Sequence, residues 1–577
     1  MTPPFPHGAT IAIAIADGVG AALVADDDVS MVVDAADVSR VLADIERNIA
    51  PRWVWWSTET ARTLVTTGFR PARCWDLDAV HRLLVGGWRG GPARIWAQQR
   101  GLDTIDLPRT AEPDLFSLPD HDDHTDPVRA DGHLDPAWIE GLWQLDVEHL
   151  HMWASLALDV HHWQAAELER LSERPAAAST ARSESAAALL CAELEIDGLP
   201  IDVAEAERII ASFIGPRPRN AADEQRLADE RDQLVLEHLP GPPIDLDLRN
   251  PASVKSLLRR VGIEVPDTRA WRLERIRDQD PIVDALLTWR RAERIATTFG
   301  YRWLDQHVGS DGRLRGQWSA SDGAAGRMTA TAGLHNMPAE LRPAVAAGPD
   351  RVFVRADLGQ IEPRILAAVS SDDALAAATW EDDMYAPVAE RLGVTREIAK
   401  VAVLGAMYGQ TTGHGAVALR GLESAYPVAM AYLDNAARLA EGGNDLRTRG
   451  GRLVRMSSGE QLDETGETGE APGRVARSRA AARGRYGRNA MVQGAAAEFF
   501  KTWAATVRAR ATPIGATIVL CLHDELLVHC RADDAAAVSG IVTDGLQEAG
   551  HRWSVGVATS VRFVADTSVI ARWSEAK

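Results

Sequence analysis

Apolar residues run together or alternate at several places in the chain, and these patterns predict its strands. The chain opens with TIAIAIADG at residues 10–18, and RVFVRADL at 351–358 has the same character. Residues 516–522, ATIVLCL, and 526–530, LLVHC, are apolar and rich in strand-forming residues, with HDE between them. Two such runs joined by so short a connection predict a β-hairpin with its acids at the tip.

A helical period dominates other parts of the chain. Residues 395–409, TREIAKVAVLGAMYG, place Arg396, Lys400, Leu404 and Tyr408 four residues apart. On a helix these positions drift slowly around one face, so the two cations and the ring share a stripe. An amphipathic helix with a solvated basic edge is the simpler interpretation. Lysine is rare in this chain, however, which makes Lys400 informative.

Several segments lack apolar periodicity or change in composition. Residues 1 to about 170 have an α/β pattern, and residues 185–310 are helical and charged. The acidic stretches at 118–136 and 457–473 predict loops, and the second is expected to be mobile. The segment from Arg474 to Ala497 contains six arginines and no acid. Such local positive charge suits a groove that follows a nucleic-acid backbone.

Length and charge limit the class of protein. A chain of 577 residues is too long for a single core, and the net charge of −20 argues against nucleic acid coating the whole surface. The cysteines Cys74, Cys191, Cys521 and Cys530 form no metal-ligand spacing. No signal peptide and no apolar run of roughly 18 residues is present. A reduced, soluble, cytoplasmic protein without a membrane segment is expected.

Acids follow two of the predicted strands. Asp357 ends RVFVRAD, and Asp524 lies at the tip of the predicted hairpin. Alone, each acid is explained as a cap or a polar turn. Together, at the ends of adjacent strands, they could hold two divalent ions about 3.5–4 Å apart, the geometry of phosphoryl transfer. Hard oxygen ligands favour magnesium. Gln360, Glu362 and Arg364 crowd the apolar helix pattern that follows Asp357.

In this order, the stretches resemble the family A DNA polymerases of the bacterial DNA polymerase I type. DLGQIEPRI resembles motif A, usually DYSQIELRI; REIAKVAVLGAMYG resembles motif B; and LHDEL resembles motif C. AGRMTATAGLHNMP and GRYGRNAMVQGAAAEFFK are similar to two further family segments, and ELEIDGLPIDV resembles the start of the thumb. The resemblance covers roughly residues 185–577.

The resemblance implies a role for each matching residue. Asp357 and Asp524 are the implied metal-binding catalytic carboxylates, for two Mg²⁺ ions or Mn²⁺ in their place, with Glu525 a secondary acid. Arg396 and Lys400 hold the triphosphate, and Lys400 also acts in catalysis. The remaining nucleotide-binding positions are Gln360, Glu362 as the steric gate, Tyr385, Leu404 and Tyr408. The implied DNA-binding residues are Arg327, Asn336, Arg485, Asn489, Gln493 and His523.

The sequence departs from the family pattern near the nucleotide. Leu358 and Gly359 replace the usual Tyr and Ser, and Pro363 follows Glu362. Leu404 stands where the family has an aromatic residue, and Tyr385 where it often has a triphosphate-binding His. Altered sugar discrimination, abbreviated fingers and altered fidelity are therefore expected.

The resemblance also implies a right-hand fold preceded by an α/β, exonuclease-like (RNase H-like) domain. The expected domains are 1–175 exonuclease-like, 185–310 helical thumb, 311–362 and 489–577 antiparallel β palm, and 363–488 helical fingers with the mobile loop 457–473. Exonuclease chemistry needs a DxE on the first strand, whereas that strand has only Asp17. A DVE at Asp146–Glu148 lies on a predicted helix, where a solvated face is the simpler interpretation. The first domain is therefore expected to be inactive, and the chain is too short to include a 5′ nuclease.

Three kinds of function stay open at this point. The leading one is a monomeric, nucleoid-associated DNA polymerase in repair or gap filling, with primer–template DNA and deoxynucleoside triphosphates as partners. This polymerase is expected to lack proofreading. The alternative within the same class is a bifunctional polymerase with an active 3′–5′ exonuclease. The second is a nuclease with its active site in the N-terminal region. The third is a DNA-binding protein with an inactive polymerase site, which the pair Asp357 and Asp524 argues against.

Overall fold

A computed structural model describes residues 4–27, 29–109, 125–240, 246–323, 325–409, 415–456, 472–557 and 559–576. The chain divides into two compact units. The first comprises Met1–Asp197, Gln317–Thr329 and Val352–Val569, and the second comprises Gly198–Gly316, Ala330–Arg351 and Ile570–Lys577. Most of the predicted loop 457–473 and part of the loop 118–136 lie outside the described residues.

The N-terminal part of unit 1 is a five-stranded sheet with helices. Its strands are β1 Thr10–Ala16, β2 Gly20–Ala25, β3 Ser30–Asp34, β4 Arg52–Trp55 and β5 Cys74–Asp76. The order is β3-β2-β1-β4-β5; β1 pairs antiparallel with β2 and parallel with β4. Its helices are α1 Val38–Ile49, α2 Thr58–Thr66, α3 Leu77–Val85, α4 Pro92–Arg100, α5 Pro136–Ile139, α6 Val147–Arg170 and α7 Ala177–Asp197.

Strand β1 is buried on both faces because it alternates two sizes of apolar residue. Ile11, Ile13 and Ile15 join one core with α1, and the alanines between them join a second core with α6. Successive side chains of a strand point to opposite faces, so the large residues fill one layer and the small ones admit the helix. The opening strand predicted from the sequence is therefore central to a domain that has a core on each face of its sheet.

Unit 2 consists mostly of helices. It contains β6 Leu199–Pro200, α8 Val203–Ile214, α9 Ala221–Leu236, α10 Pro251–Arg260, α11 Ala270–Glu274, α12 Pro281–Thr298, α13 Tyr301–His307 and β7 Arg313–Leu314. Its core is apolar and includes Leu257, Leu273, Leu286 and Trp289. Most of the predicted thumb, residues 185–310, falls in this unit, although α7 belongs to unit 1.

The rest of unit 1 carries a four-stranded sheet and a set of helices. Two short strands come first, β8 Trp318–Asp322 and β9 Arg327–Ala330. The sheet has the order β13 (Thr517–Cys521), β14 (Glu525–Arg531), β10 (Arg351–Leu358) and β15 (Ala565–Ile570). The helices are α14 Ile361–Ser370, α15 Asp373–Ala378, α16 Tyr385–Leu392, α17 Arg396–Tyr408, α18 Gly415–Ala425, α19 Pro427–Glu441, α20 Pro472–Ala511 and α21 Ala535–Trp553; the small hairpin β11 Leu446–Arg447 and β12 Leu453–Val454 lies between α19 and α20.

Two boundaries differ from the sequence prediction. Helix α20 begins at Pro472, inside the stretch predicted as a loop to residue 473. Proline is tolerated in the first turn of a helix, where its missing N–H has no helical partner anyway. The predicted hairpin is present, but Glu525 begins β14 instead of lying in the turn. No helix among the described residues is long and apolar enough to cross a membrane.

Candidate active site

A cavity of about 400 Å³ lies in unit 1 where β10, the β13–β14 turn and helices α14, α16, α17 and α20 meet. It brings together residues that are far apart in the sequence. The predicted site residues that line it are Arg327, Asp357, Gln360, Glu362, Tyr385, Arg396, Lys400, Leu404, Gln493, His523 and Asp524.

Two carboxylates share the floor of this cavity. Asp357 lies near the end of β10 and Asp524 in the turn before β14, and the Leu358 amide donates to the Asp524 carbonyl at 2.8 Å. Burial raises the pKa of Asp357 to about 6, and the charge of Asp524 adds to this. Burial also raises the pKa of Asp524, with Glu525 and Glu362 contributing. Carboxylates that repel each other in a buried cavity are suited to a divalent cation, which offsets their charge.

Arg355 links Asp357 to two further acids, and its role was missed in the sequence. Its side chain is 7% exposed. Nη2 donates to Asp357 at 2.7 Å, Nε to Glu525 at 3.0 Å and Nη1 to Asp566 at 3.2 Å. Glu525 does not line the cavity, because it is buried against this guanidinium. Within the described residues, no group of three or more His, Cys, Asp or Glu is placed to hold a metal.

The two predicted triphosphate-binding cations lie on α17. The helix begins at Arg396, and the Thr395 side chain caps it by accepting from the Ile398 amide. Its opposite face is buried through apolar residues such as Ala402 and Val403, which leaves Arg396 and Lys400 exposed along the cavity. Four-residue spacing places both charges on one side of the helix. The helix therefore presents a positive face to the carboxylates.

Arg396 pairs with Asp383, which also orders the turn after β10. The Arg396 Nε donates to Asp383 Oδ2, while Gln360 Nε2 donates to Oδ1 at 3.2 Å. Gln360 caps α14 with a φ of 52°, in the left-handed region that costs a non-glycine residue about 1–2 kcal/mol. The Gln360 side chain offsets part of this conformational cost by accepting a hydrogen bond from the Met384 amide at 3.0 Å.

Arg364 fixes the same region from within the protein. Its guanidinium is fully buried and donates at 2.8–2.9 Å to the backbone carbonyls of Gly359, Glu381, Asp382 and Arg562. An arginine buried in this way binds carbonyl groups through all arms of its planar fork. The sequence showed Arg364 as an odd polar residue in an apolar helix, and the structure explains it as a clamp on the cavity wall.

Glu362 is held by two neighbours at the cavity wall. Its carboxylate accepts from Arg327 Nη2 at 2.7 Å and from the Tyr408 hydroxyl at 3.2 Å. Gln493 Nε2 donates in turn to the Tyr408 oxygen at 3.5 Å. Burial and the nearby Glu362 charge raise the pKa of Tyr408. These contacts link β9, α14, α17 and α20 in one polar network.

The rings of Tyr385 and His523 complete the lining of the cavity. Tyr385 is buried, and burial raises its pKa to about 12. The Arg396 guanidinium carbon lies 5.8 Å from its ring centroid, within cation–π range. Partial burial lowers the pKa of His523, with the positive charge of Arg327 contributing.

Three predicted DNA-binding residues lie outside the cavity. Arg485 and Asn489 follow each other on α20 at the four-residue spacing that leads to Gln493, so they form a stripe along one side of that helix. Arg485 is exposed, and Asn489 is half-buried. Asn336 belongs to unit 2, where its backbone carbonyl accepts from Arg294 Nη2 at 2.6 Å.

The acids of the N-terminal region belong to no metal-binding group of three or more His, Cys, Asp or Glu among the described residues. Asp17 is exposed in the turn between β1 and β2. Asp146 is the N-cap of α6: its Oδ1 accepts from the amides of Glu148 and His149 at 2.9 and 3.0 Å. A cap satisfies free amides at a helix start, which accounts for Asp146 without metal chemistry.

The sequence profile of DNA polymerase family A matches residues 254–575, more than half of the chain. The chain belongs to DNA polymerase family A. Among related proteins, this family A chain is 28% identical to DNA polymerase I of Chloroflexus aurantiacus over 47% of its own length and 31% of that protein. It is 25% identical to the thermostable DNA polymerase I of Thermus aquaticus over 62% of its length and 44% of that protein. The chain therefore spans less than half of these relatives.

A solved structure shows the same fold. It is described as the POL domain of Pol1 from M. smegmatis in complex with DNA primer–template and dNTP, with a TM-score of 0.66 and 20% identity. The match covers 99% of this family A chain and 96% of that chain. The polymerase fold predicted from the motifs is thus confirmed.

Proposed function

We propose that this chain is a template-directed DNA polymerase that adds deoxynucleotides to a primer 3′ end. The observation that carries the proposal is one cavity that combines Asp357 and Asp524 with Arg396 and Lys400. Paired carboxylates facing paired cations provide what nucleotidyl transfer needs: ligands for divalent ions and positive charge for the leaving phosphates.

Asp357 and Asp524 would hold the two Mg²⁺ ions, for which Mn²⁺ can substitute. When bound, such ions activate the attacking hydroxyl and stabilise the attacking and leaving oxygens. Arg396 and Lys400 bind the triphosphate and neutralise the charge that grows on pyrophosphate. The Asp383 carboxylate competes with the phosphate for Arg396, because both accept from the same guanidinium. Glu525 acts indirectly, through Arg355.

Glu362 is the proposed steric gate against a ribose 2′-hydroxyl. Its two hydrogen bonds, to Arg327 and Tyr408, fix its position next to the nucleotide space. A rigid carboxylate is a better barrier than a mobile one, since a mobile side chain could swing away. Gln360, Tyr385 and Leu404 complete the nucleotide contacts. Leu404 offers the sugar an aliphatic side chain without the flat ring or hydroxyl of an aromatic residue.

Primer and template would run past the DNA-binding residues given above. Arg327, Gln493 and His523, which line the cavity, would lie near the primer terminus, and Arg485 and Asn489 would extend the contacts along α20. Asn336 is the proposed DNA-binding residue of unit 2. The arginine-rich start of α20 supports this path, because backbone binding depends on local positive charge.

The N-terminal sheet domain is proposed to be exonuclease-like without proofreading chemistry. The mixed order β3-β2-β1-β4-β5 supports the first part, and the lack of a metal-binding acid group among the described residues supports the second. A monomer acting in repair or gap filling in the cytoplasm accords with the proposal.

Primer extension tests the proposal directly. The wild-type chain, Asp357→Asn and Asp524→Asn are incubated with labelled primer–template, Mg²⁺ and dNTPs, and in parallel without dNTPs. The wild type is expected to extend the primer, and both variants to lose extension by at least about 10³-fold while still binding DNA. Extension by either variant would contradict the site. Shortening without dNTPs that survives Asp524→Asn would reveal an active exonuclease, whereas binding without extension would indicate a DNA-binding protein.

A further inference from the structure

Arg355 is placed to act on the carboxylates from inside the sheet. It precedes Asp357 by two residues on β10, so both side chains lie on the same face of the strand. Strand β10 lies between β14 and β15, which carry Glu525 and Asp566. One guanidinium thus reaches three acids on three adjacent strands, at 2.7, 3.0 and 3.2 Å.

This arrangement divides the acids into two groups. Asp357 and Asp524 line the cavity, whereas Glu525 and Asp566 do not. Arg355 engages Asp357 through Oδ2 and holds Glu525 through Oε1. Consistent with this division, no three acids of the described residues converge as metal ligands, although four lie in this part of the sheet.

The charge of Arg355 is permanent. Its side chain is almost fully buried, and hydrogen bonding to Glu525 together with the nearby carboxylate charges keeps its pKa above the usual value despite burial. A guanidinium cannot lose its proton at any working pH, and its planar fork fixes the carboxylates that it binds. A fixed positive charge in contact with a metal-binding carboxylate repels a second cation.

We propose that Arg355 is a positioning residue that sets the divalent-cation requirement of the site: it orients Asp357, withholds Glu525 and Asp566 from the cation, and weakens cation binding. This inference rests on the proposed function only in that Asp357 and Asp524 bind divalent ions. It predicts that the site needs more Mg²⁺ than the same carboxylates would need without the arginine.

The test measures Mn²⁺ binding to the full chain without DNA or nucleotide, from the paramagnetic resonance signal of free Mn²⁺. Arg355→Gln and Arg355→Met remove the charge, and Gln keeps a hydrogen-bond donor for the carboxylates. Both are expected to tighten the Mn²⁺ Kd by at least about tenfold, because repulsion is lost. Arg355→Lys keeps the charge but loses the planar fork, so its Mn²⁺ Kd is expected to lie between that of the wild type and those of the neutral variants.

A double variant separates charge from shape. Arg355→Met with Glu525→Gln removes one positive and one negative charge, so the Mn²⁺ Kd is expected to return to within about threefold of the wild type. In primer extension, the Mg²⁺ concentration for half-maximal rate is expected to fall in Arg355→Gln. Circular dichroism confirms that each variant is folded.

An unchanged or weaker Mn²⁺ affinity in the folded neutral variants would overturn the inference, and so would loss of folding in both, since Arg355 would then be a stability residue. The proposed function fails separately. The wild type could bind Mn²⁺ without ever extending a primer. If Asp357→Asn then abolishes Mn²⁺ binding and Arg355→Gln tightens it, the cation site is supported and the proposed polymerase function is not. If extension is normal and its Mg²⁺ dependence ignores Arg355→Gln, only this inference fails.

Discussion

The ion pair between Arg396 and Asp383 should make nucleotide binding a competition. Asp383 accepts from Arg396, and its Oδ1 also accepts from Gln360 and from the Tyr385 amide, both at 3.2 Å. A triphosphate that binds Arg396 competes with this carboxylate for the charge of the same guanidinium. Asp383→Asn removes the charge but keeps an oxygen for Gln360 and Tyr385, so it tests the competition without dismantling the turn.

The exposure of the pair limits the effect. The Arg396 and Asp383 side chains are 46% and 35% exposed, and an ion pair in such a setting contributes about 0.2–1 kcal/mol. At 25 °C this range corresponds to a factor of about 1.4–5. We therefore expect Asp383→Asn to lower the KM for dNTP by about 1.4–5-fold with kcat unchanged. The gain should shrink at high salt, where exposed charges are screened.

The assay is steady-state incorporation of a single nucleotide at low and high salt. Asp382→Asn is the matched control, because it removes the same charge one residue away while its carboxylate binds Arg562, at 2.8 Å, and not Arg396. A higher KM in Asp383→Asn would refute the reasoning, since Asp383 would then orient Arg396 for the nucleotide. If the KM for dNTP falls equally in Asp383→Asn and Asp382→Asn, the effect is due to net charge alone.

Three further predictions concern the nucleotide gate and the core. Glu362→Ala should raise ribonucleotide incorporation about 10–100-fold relative to dNTP in a competition assay; no change would exclude it as the gate. Lys501→Met removes one of the two cations that bind the buried Glu184, Nζ at 2.7 Å beside Arg452 at 2.7 Å, and should lower the free energy of unfolding by about 1.5–3 kcal/mol in urea titrations, whereas no loss would contradict it. Burial raises the pKa of Glu498 from 4.5 to about 7, so the folded state binds the extra proton and its stability falls as the pH rises through that interval. Glu498→Gln should gain up to about 3 kcal/mol over the wild type across that interval; a parallel pH dependence would refute this.

The sequence could identify the parts of the site that local motifs encode. Asp357, Asp524 and the Arg396–Lys400 stripe follow from a strand end, a hairpin tip and a helical period, each readable within about a dozen residues. The structure places all four along one cavity. Contacts between distant segments could not be found in this way. Arg355 and Asp566 are 211 residues apart in the chain.

One signal in the sequence would have indicated Arg355. A period of two places it on the same face as Asp357 in an otherwise apolar strand, where a cation needs a partner. Asp146 is the opposite case: its spacing to Glu148 suggests a metal-binding acid pair, but the helical pattern predicts a helix there, and Asp146 is the N-cap of that helix. For Arg355 and Asp146, the periodicity of the surrounding strand or helix predicts the role of the residue better than a short motif does.

Helix α20 runs unbroken for 40 residues, from Pro472 to Ala511. Its C-terminal half is held by buried ion pairs at Lys501 and Arg508, and the arginines at 477 and 479 are exposed. At 1.5 Å per residue, about 40 Å of rod separates Lys501 from the helix start. A tilt of about 5° at the clamped half moves the far end by about 4 Å, close to the 3.4 Å rise of one nucleotide on a DNA strand. A small angular change at the buried half would therefore be amplified along the helix into a displacement of several ångströms at its arginine-rich end.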